Sequence, residues 1–164
     1  MSKTKENLMA AFAGESQANR KYLAYAAQAE KEGLAQAAKL FRAAAEAETI
    51  HAHAHLRNAK KIGNTLENLQ DAIGGETYEF TKMYPDMIKD AEAEGEAAIL
   101  KYFQWVNSVE EVHAKLYKKA LEAKGNAPAV DYYVCSVCGY THECPHYDKS
   151  PVCNAAPKAV YKVA

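Results

Sequence analysis

Twice in this chain a Gly-Glu pair is followed, one helix later, by Glu-x-x-His. Gly14-Glu15 leads to Glu48 and His51, the second glutamate lying 33 residues after the first. Gly75-Glu76 leads to Glu110 and His113, with 34 residues between the corresponding positions. A helix sets residues three apart on one face, so each Glu-x-x-His aims a carboxylate and an imidazole at the same point. Each lone glutamate arrives from the preceding helical run. Four such helices brought together aim four Glu and two His at one buried point. That is the ligand set of a di-iron or di-manganese carboxylate site in a helix bundle.

One Glu-x-x-His alone would carry little, because such pairs arise by chance on solvated helices. Two of them, each one helix after a Gly-Glu, make a repeat. Hydrophobic neighbours fit a buried stripe beside each pair: Leu40, Ala44, Ala47 and Ile50 in the first copy, Val106, Val109 and Leu116 in the second. Hard oxygen donors with one imidazole per ion suit iron or manganese better than a soft-ligand metal. The copies differ at one place. Aligning Gly14-Glu15-Ser16 with Gly75-Glu76-Thr77 sets Ala18 against Glu79, a fifth glutamate one turn beyond Glu76. An extra carboxylate lets one ion change ligands as its charge changes; a solvent-facing Glu79 is the alternative. Tyr22 and Tyr84 lie about two turns beyond the lone glutamates. They either donate hydrogen bonds to metal-bound groups or simply pack. Of the string His51-Ala52-His53-Ala54-His55, His53 points well away from His51 and His55 sits one turn on. The remaining acidic residues, Glu46 and Glu67 among them, read as solvated faces.

From Thr4 to about Lys124 the sequence forms helix almost without a break, with Pro85 its only proline. Gly33 ends a first helix (4–31), Gly63-Asn64 a second (35–61), and Gly95 separates a third from a fourth (96–123). Thr65 reads as the N-cap of the third helix, with Asn68 at the capping-box position. That helix is expected to run to about Glu94, kinked or missing one backbone bond at Pro85. Long helices with tight connections predict a four-helix bundle over residues 1–124. Gly125-Asn126-Ala127-Pro128 stops helix formation, so 125–130 reads as a linker and 131–164 as a small β-rich metal domain.

All four cysteines fall in that last segment: Cys135, Cys138, Cys144 and Cys153. Their confinement, opened by Cys-x-x-Cys, favours a metal over disulfides. The expected second knuckle reads Ser150-Pro151-Val152-Cys153, with serine where a cysteine belongs. Three outcomes stand open. Cys144 restores a four-thiolate set, which is the reading favoured here; Ser150 binds through oxygen; or the site is crippled. His142 and His146 add possible nitrogen ligands, which would draw the site toward zinc.

The net charge is −1 and no basic stripe is evident, so nothing supports nucleic-acid binding. No apolar run approaches the about 20 residues of a membrane span, and Met1–Glu6 lacks the apolar stretch of a secretory signal. A soluble, cytoplasmic protein is expected.

These stretches carry a resemblance. Gly14-Glu15-Ser16-Gln17-Ala18, Glu46-Ala47-Glu48-Thr49-Ile50-His51, Gly75-Glu76-Thr77-Tyr78-Glu79 with Met83-Tyr84-Pro85, Glu110-Glu111-Val112-His113 and Cys135-Ser136-Val137-Cys138-Gly139-Tyr140 together resemble the rubrerythrin family over nearly the whole chain. The resemblance implies a ferritin-like four-helix bundle with a non-haem di-iron centre, then a rubredoxin-like domain with one iron, or zinc. It implies Glu15, Glu48, His51, Glu76, Glu79, Glu110 and His113 as ligands of two iron ions, with manganese or zinc as substitutes. Glu79 is then the ligand that exchanges, and Tyr22 and Tyr84 line the pocket. It further implies a peroxidase that reduces hydrogen peroxide to water. Electrons would come from a nicotinamide cofactor through rubredoxin or an NAD(P)H-dependent reductase and enter at the C-terminal site of a homodimer. Two other classes compete: an iron-storage or ferroxidase bundle, which needs no electron inlet, and a non-catalytic scaffold with a zinc-loaded tail. Ser150 and Cys144 depart from the family pattern.

Overall fold

A computed structural model describes residues 2–124, 126, 128–144 and 149–163. The chain divides into two compact units, Met1–Gly63 and Asn64–Ala164. Compactness thus divides it after Gly63 and groups the helices that follow with the cysteine module. Gly125 and Ala127 of the expected linker, and His146, lie outside the described residues.

The first unit is a helical hairpin of α1 (Lys3–Lys31) and α2 (Ala35–Asn58). Ser2 caps α1 by accepting from the Lys5 amide. Gly33, at φ +75°, takes the left-handed conformation that ends α1 and lets the chain reverse within three residues. Contacts then run backwards along the partner helix. Arg42 Nη1 meets Glu30 Oε1 at 2.8 Å, and Asn19 Nδ2 donates to Ala45 O at 2.8 Å and to Thr49 Oγ1 at 2.9 Å. The seam is made of alanine. Ala38, Ala45, Ala52 and Ala59 follow one another at seven-residue spacing and are all buried, with Ala26 and Ala29 opposite. Methyl-sized side chains on a heptad repeat let two backbones approach closely. The buried stripe expected around Glu48 is therefore displaced. Leu40 and Ile50 are 69% and 66% exposed, because α2 turns its alanine face to α1.

The second unit opens at Asn64, not Thr65. The Asn64 carboxamide accepts from the Glu67 amide at 3.0 Å, and Glu67 Oε2 accepts from the Asn64 amide at 2.8 Å. This is a capping box one residue earlier than expected, and it gives Glu67 a structural task. Helix α3 covers Thr65–Tyr78, and α4 covers Tyr84–Ala93. The expected kink is a π-helical turn over Glu79–Met83, in which the Tyr84 amide donates to Glu79 O five residues back. Pro85 has no N–H to offer the carbonyl four residues behind it, and the wider turn absorbs that missing bond. Helix α5 (Ala97–Glu122) returns after Gly95.

The cysteine module is a three-stranded antiparallel sheet of order β2-β1-β3, with β1 Tyr133–Cys135, β2 Thr141–His142 and β3 Val160–Lys162. Tyr133 pairs with His142 and Lys162, and Cys135 with Val160. Too small for a core of its own, the module shares one with α5. Val109, 2% exposed, packs with Cys135 and Cys138, and Trp105, Tyr140, Val152 and Ala159 surround them. No helix among the described residues is long and apolar enough to cross a membrane.

Candidate metal centre

The helical spacing delivers what the repeat demands. In the first unit Glu15 from α1 meets Glu48 and His51 from α2, and one donor atom from each lies within 4.8 Å of the others. His51 Nδ1 is 3.0 Å from Glu48 Oε2 and 3.9 Å from Glu15 Oε1. In the second unit Glu76 from α3 meets Glu110 and His113 from α5 in the same way. His113 Nδ1 is 2.8 Å from Glu110 Oε2 and 3.6 Å from Glu76 Oε2. Two ligands about 2.1 Å from a six-coordinate ion stand about 3 Å apart when adjacent and about 4.2 Å apart when opposite. The histidine–carboxylate separations of both triads, 2.8 to 3.9 Å, lie close to that range, so these donors suit a hard divalent ion.

The two triads differ in exposure. The His51 side chain is 54% exposed and that of His113 only 26%. In the second triad the electrostatics show the cost of gathering acids without a cation. Burial pushes the Glu76 carboxyl up to about 7; His113 pulls against that, and Glu110 adds to it through charge and a shared hydrogen bond. Burial and then the Glu110 charge raise Glu79. The hydrogen bond to Glu110 holds His113 above its ordinary range despite burial. Like charges crowded together are what a bound cation would relieve.

Glu79 starts the π-helical turn. Its carboxylate is not among the converging donor atoms of the triad, yet it lies near enough to feel Glu110 and His113. Tyr84 follows the turn. Burial first, then the charges of Glu110 and Glu79, raise its hydroxyl above the usual phenol range. Its ring packs 6.0 Å from Phe103. Tyr22 packs between rings, 6.3 Å from Phe41 and 6.4 Å from Tyr25.

One participant carried no signal in the sequence. The other nitrogen of His113, Nε2, lies 3.0 Å from Thr141 Oγ1, and that hydroxyl donates to Gly139 O at 3.0 Å. Since the hydroxyl proton goes to Gly139, Thr141 accepts from the imidazole, and Nε2 carries the proton. The arrangement orients the ring as outer hydrogen bonds orient metal-bound histidines. It also runs from the triad to the residue next to Cys138. Nearby, a cavity of about 480 Å³ is lined by Leu69, Glu76, His113, Leu116, Thr141 and Val163, among others.

At the C-terminal knuckle the Sγ atoms of Cys135, Cys138 and Cys153 lie within 4.8 Å of one another. Amides of Cys138 and Val137 donate to Cys135 Sγ, and the Tyr140 amide donates to Cys138 Sγ. Gly139, at φ +81°, makes that turn. The structure sets Ser150, not Cys144, beside them. Ser150 is fully buried with its Oγ 3.6 Å from Cys138 Sγ, whereas Cys144 is exposed and outside the cluster. A fourth thiolate favours Cys144 in the sequence; the fold puts Ser150 beside Cys138 instead. His142 does not join the cluster either. It stacks between Tyr133 and Tyr140, where burial holds it below the usual imidazole range.

Comparison with known proteins agrees with this layout. A family model described as Rubrerythrin matches residues 6–121. Nigerythrin of Nitratidesulfovibrio vulgaris is 35% identical, the match covering 92% of this chain and 81% of that protein. Rubrerythrin of Porphyromonas gingivalis is 34% identical, with 98% and 90% covered. A solved structure of nigerythrin in a partially reduced state superposes with a TM-score of 0.59 at 30% identity, covering 99% of this chain and 88% of that one. A fully reduced, all-ferrous nigerythrin superposes with the same score.

Proposed function

The chain belongs to the rubrerythrin family, and from that premise we propose that it reduces hydrogen peroxide to water, with electrons entering through the cysteine module. The family is one of di-iron proteins of peroxidase type, and the mainly helical fold with a small C-terminal sheet is the nigerythrin-like one. The observation that carries the reading is the pair of Glu-Glu-His triads, each already gathered on adjacent helices. Glu15, Glu48 and His51 would hold one iron, and Glu76, Glu110 and His113 the other. When bound, the ions supply Lewis acidity and the two electrons that split an O–O bond.

The chain's own residues do the rest. Burial pushes the Glu76 carboxyl up to about 7, so it is partly protonated near neutrality and iron binding would displace that proton. The raised Tyr84 hydroxyl stays protonated across the physiological range and remains a donor beside the carboxylates. Glu79, at the start of a wide helical turn, has a neighbouring carboxylate's position without being locked into the triad. Thr141 fixes the His113 ring and joins it by two hydrogen bonds to Gly139, the neighbour of Cys138. This gives electrons from an external rubredoxin or NAD(P)H-dependent reductase a short bonded route. An inlet of this kind has no task in an iron-storage protein. Two electrons and two protons turn one peroxide into two waters, so one reduced iron pair should remove one equivalent of peroxide. A chain loaded with iron and reduced that leaves peroxide unconsumed would refute the reading.

A further inference from the structure

Two knuckles face each other in the cysteine module, and they match bond for bond. In the first, Cys135 Sγ accepts from the amides of Val137 and Cys138. In the second, Ser150 Oγ accepts from the amides of Val152 at 3.4 Å and Cys153 at 3.3 Å. The Gly139 amide donates to Cys135 O at 2.8 Å, and the Asn154 amide donates to Ser150 O at 2.9 Å. The Cys135 amide donates to Tyr140 O at 3.0 Å, and the Ser150 amide donates to Ala155 O at 2.9 Å. Gly139 and Asn154 both take positive φ, +81° and +59°. Ser150 therefore stands where the first knuckle has Cys135, and its hydroxyl is fully buried.

The donor separations agree. Thiolates about 2.3 Å from a tetrahedral ion stand about 3.8 Å apart, and a thiolate and an oxygen at about 2.0 Å stand about 3.5 Å apart. Cys135 Sγ and Cys153 Sγ are 3.8 Å apart, and Cys138 Sγ and Ser150 Oγ are 3.6 Å apart. We propose that Ser150 Oγ is the fourth donor of the C-terminal metal site, which is thus built of three thiolates and one oxygen with Cys144 outside it. Oxygen is a harder donor than thiolate and favours the higher-charged ion. An iron held here is therefore harder to reduce than one held by four sulfurs.

The inference does not rest on peroxide chemistry, and its test does not use it. The full chain is titrated with cobalt(II) without oxygen, and the near-ultraviolet sulfur-to-cobalt band is read. Only thiolate ligands produce that band, so the carboxylate triads are silent. Wild type should give the band at one cobalt per chain. Cys144→Ser should leave its intensity and the affinity unchanged. Ser150→Cys should raise the saturating intensity per chain by about one third, as three thiolates become four. Ser150→Ala should keep the three-thiolate band but weaken binding at least tenfold, with Trp105 fluorescence reporting that the module stays docked. With iron, Ser150→Cys should raise the reduction potential. A Cys144→Ser variant that loses about a quarter of the band, as four thiolates become three, overturns the proposal. So does a Ser150→Ala variant that binds as wild type does, or a wild type without the band.

Discussion

Stripped of metal, the second unit should lose stability as the pH rises from 5 to 8. Glu76 ionises in the unfolded chain near 4.5 and in the folded protein near 7. A carboxyl raised in this way binds its proton more tightly when folded. The stabilisation is present at low pH and disappears as the pH climbs through the folded value. The loss between pH 5 and 8 is roughly 2 to 3 kcal/mol. Glu79 is raised too and acts in the same direction. His113, held above its ordinary range by Glu110, contributes stability below 6.5 that is lost above its folded value. His142 opposes them, since its folded value is lowered and it is destabilised as the pH falls. Comparison with Glu76→Gln cancels that opposing contribution, because Gln keeps the shape without the charge. Urea unfolding of chelator-treated protein measures the effect. The single tryptophan, Trp105, packs against the core shared by α5 and the cysteine module and reports this unit alone. The wild type should weaken by that amount between the two pH values, and Glu76→Gln should remove most of the slope and stabilise the metal-free protein at pH 8. A wild-type stability that is flat or rising, or a slope that survives in Glu76→Gln, refutes the argument that burial of this carboxyl sets the balance.

Three more outcomes follow. Thr141→Val removes the acceptor for His113 Nε2 and should lower iron affinity at the second triad about 10- to 100-fold, read by competition with a chelator, while the first triad is unchanged. Asn64→Ala deletes the capping box and should cost about 1 kcal/mol in the unfolding of the second unit. Asn19→Ala removes an amide that bridges the α1–α2 seam and should destabilise the first unit by about 1 to 3 kcal/mol, measured by helix loss in thermal unfolding.

Much of this architecture is legible in the residues. Gly33 and Gly95 stop helices where left-handed backbone is needed, and the three-residue spacing of Glu48 with His51 and of Glu110 with His113 is enough to pair a carboxylate with an imidazole on one helix face in each unit. Other features were hidden for physical reasons. Leu40 and Ile50 suggested a hydrophobic stripe, but small side chains permit closer helix packing, and the alanines at every seventh position form the seam instead. Asn64 and Thr65 are both competent caps, and only Glu67, placed three residues after Asn64, decides between them. Pro85 announced a break without saying that it would widen the turn begun by Glu79. Thr141 is distant from His113 in sequence and carries no pattern of its own. Cys144 attracted the fourth thiolate role because it is a cysteine, whereas the matching amide pattern around Ser150 exists only in three dimensions.

The central claim is that the two triads hold iron and turn it on peroxide. Rapid mixing of the reduced, iron-loaded protein with hydrogen peroxide or with dioxygen, followed by absorbance, tests it most directly. Oxidation of the iron should be much faster with peroxide, and one equivalent of peroxide should complete it. Faster oxidation by dioxygen, or preparations in which the triads bind no iron at all, would contradict the account.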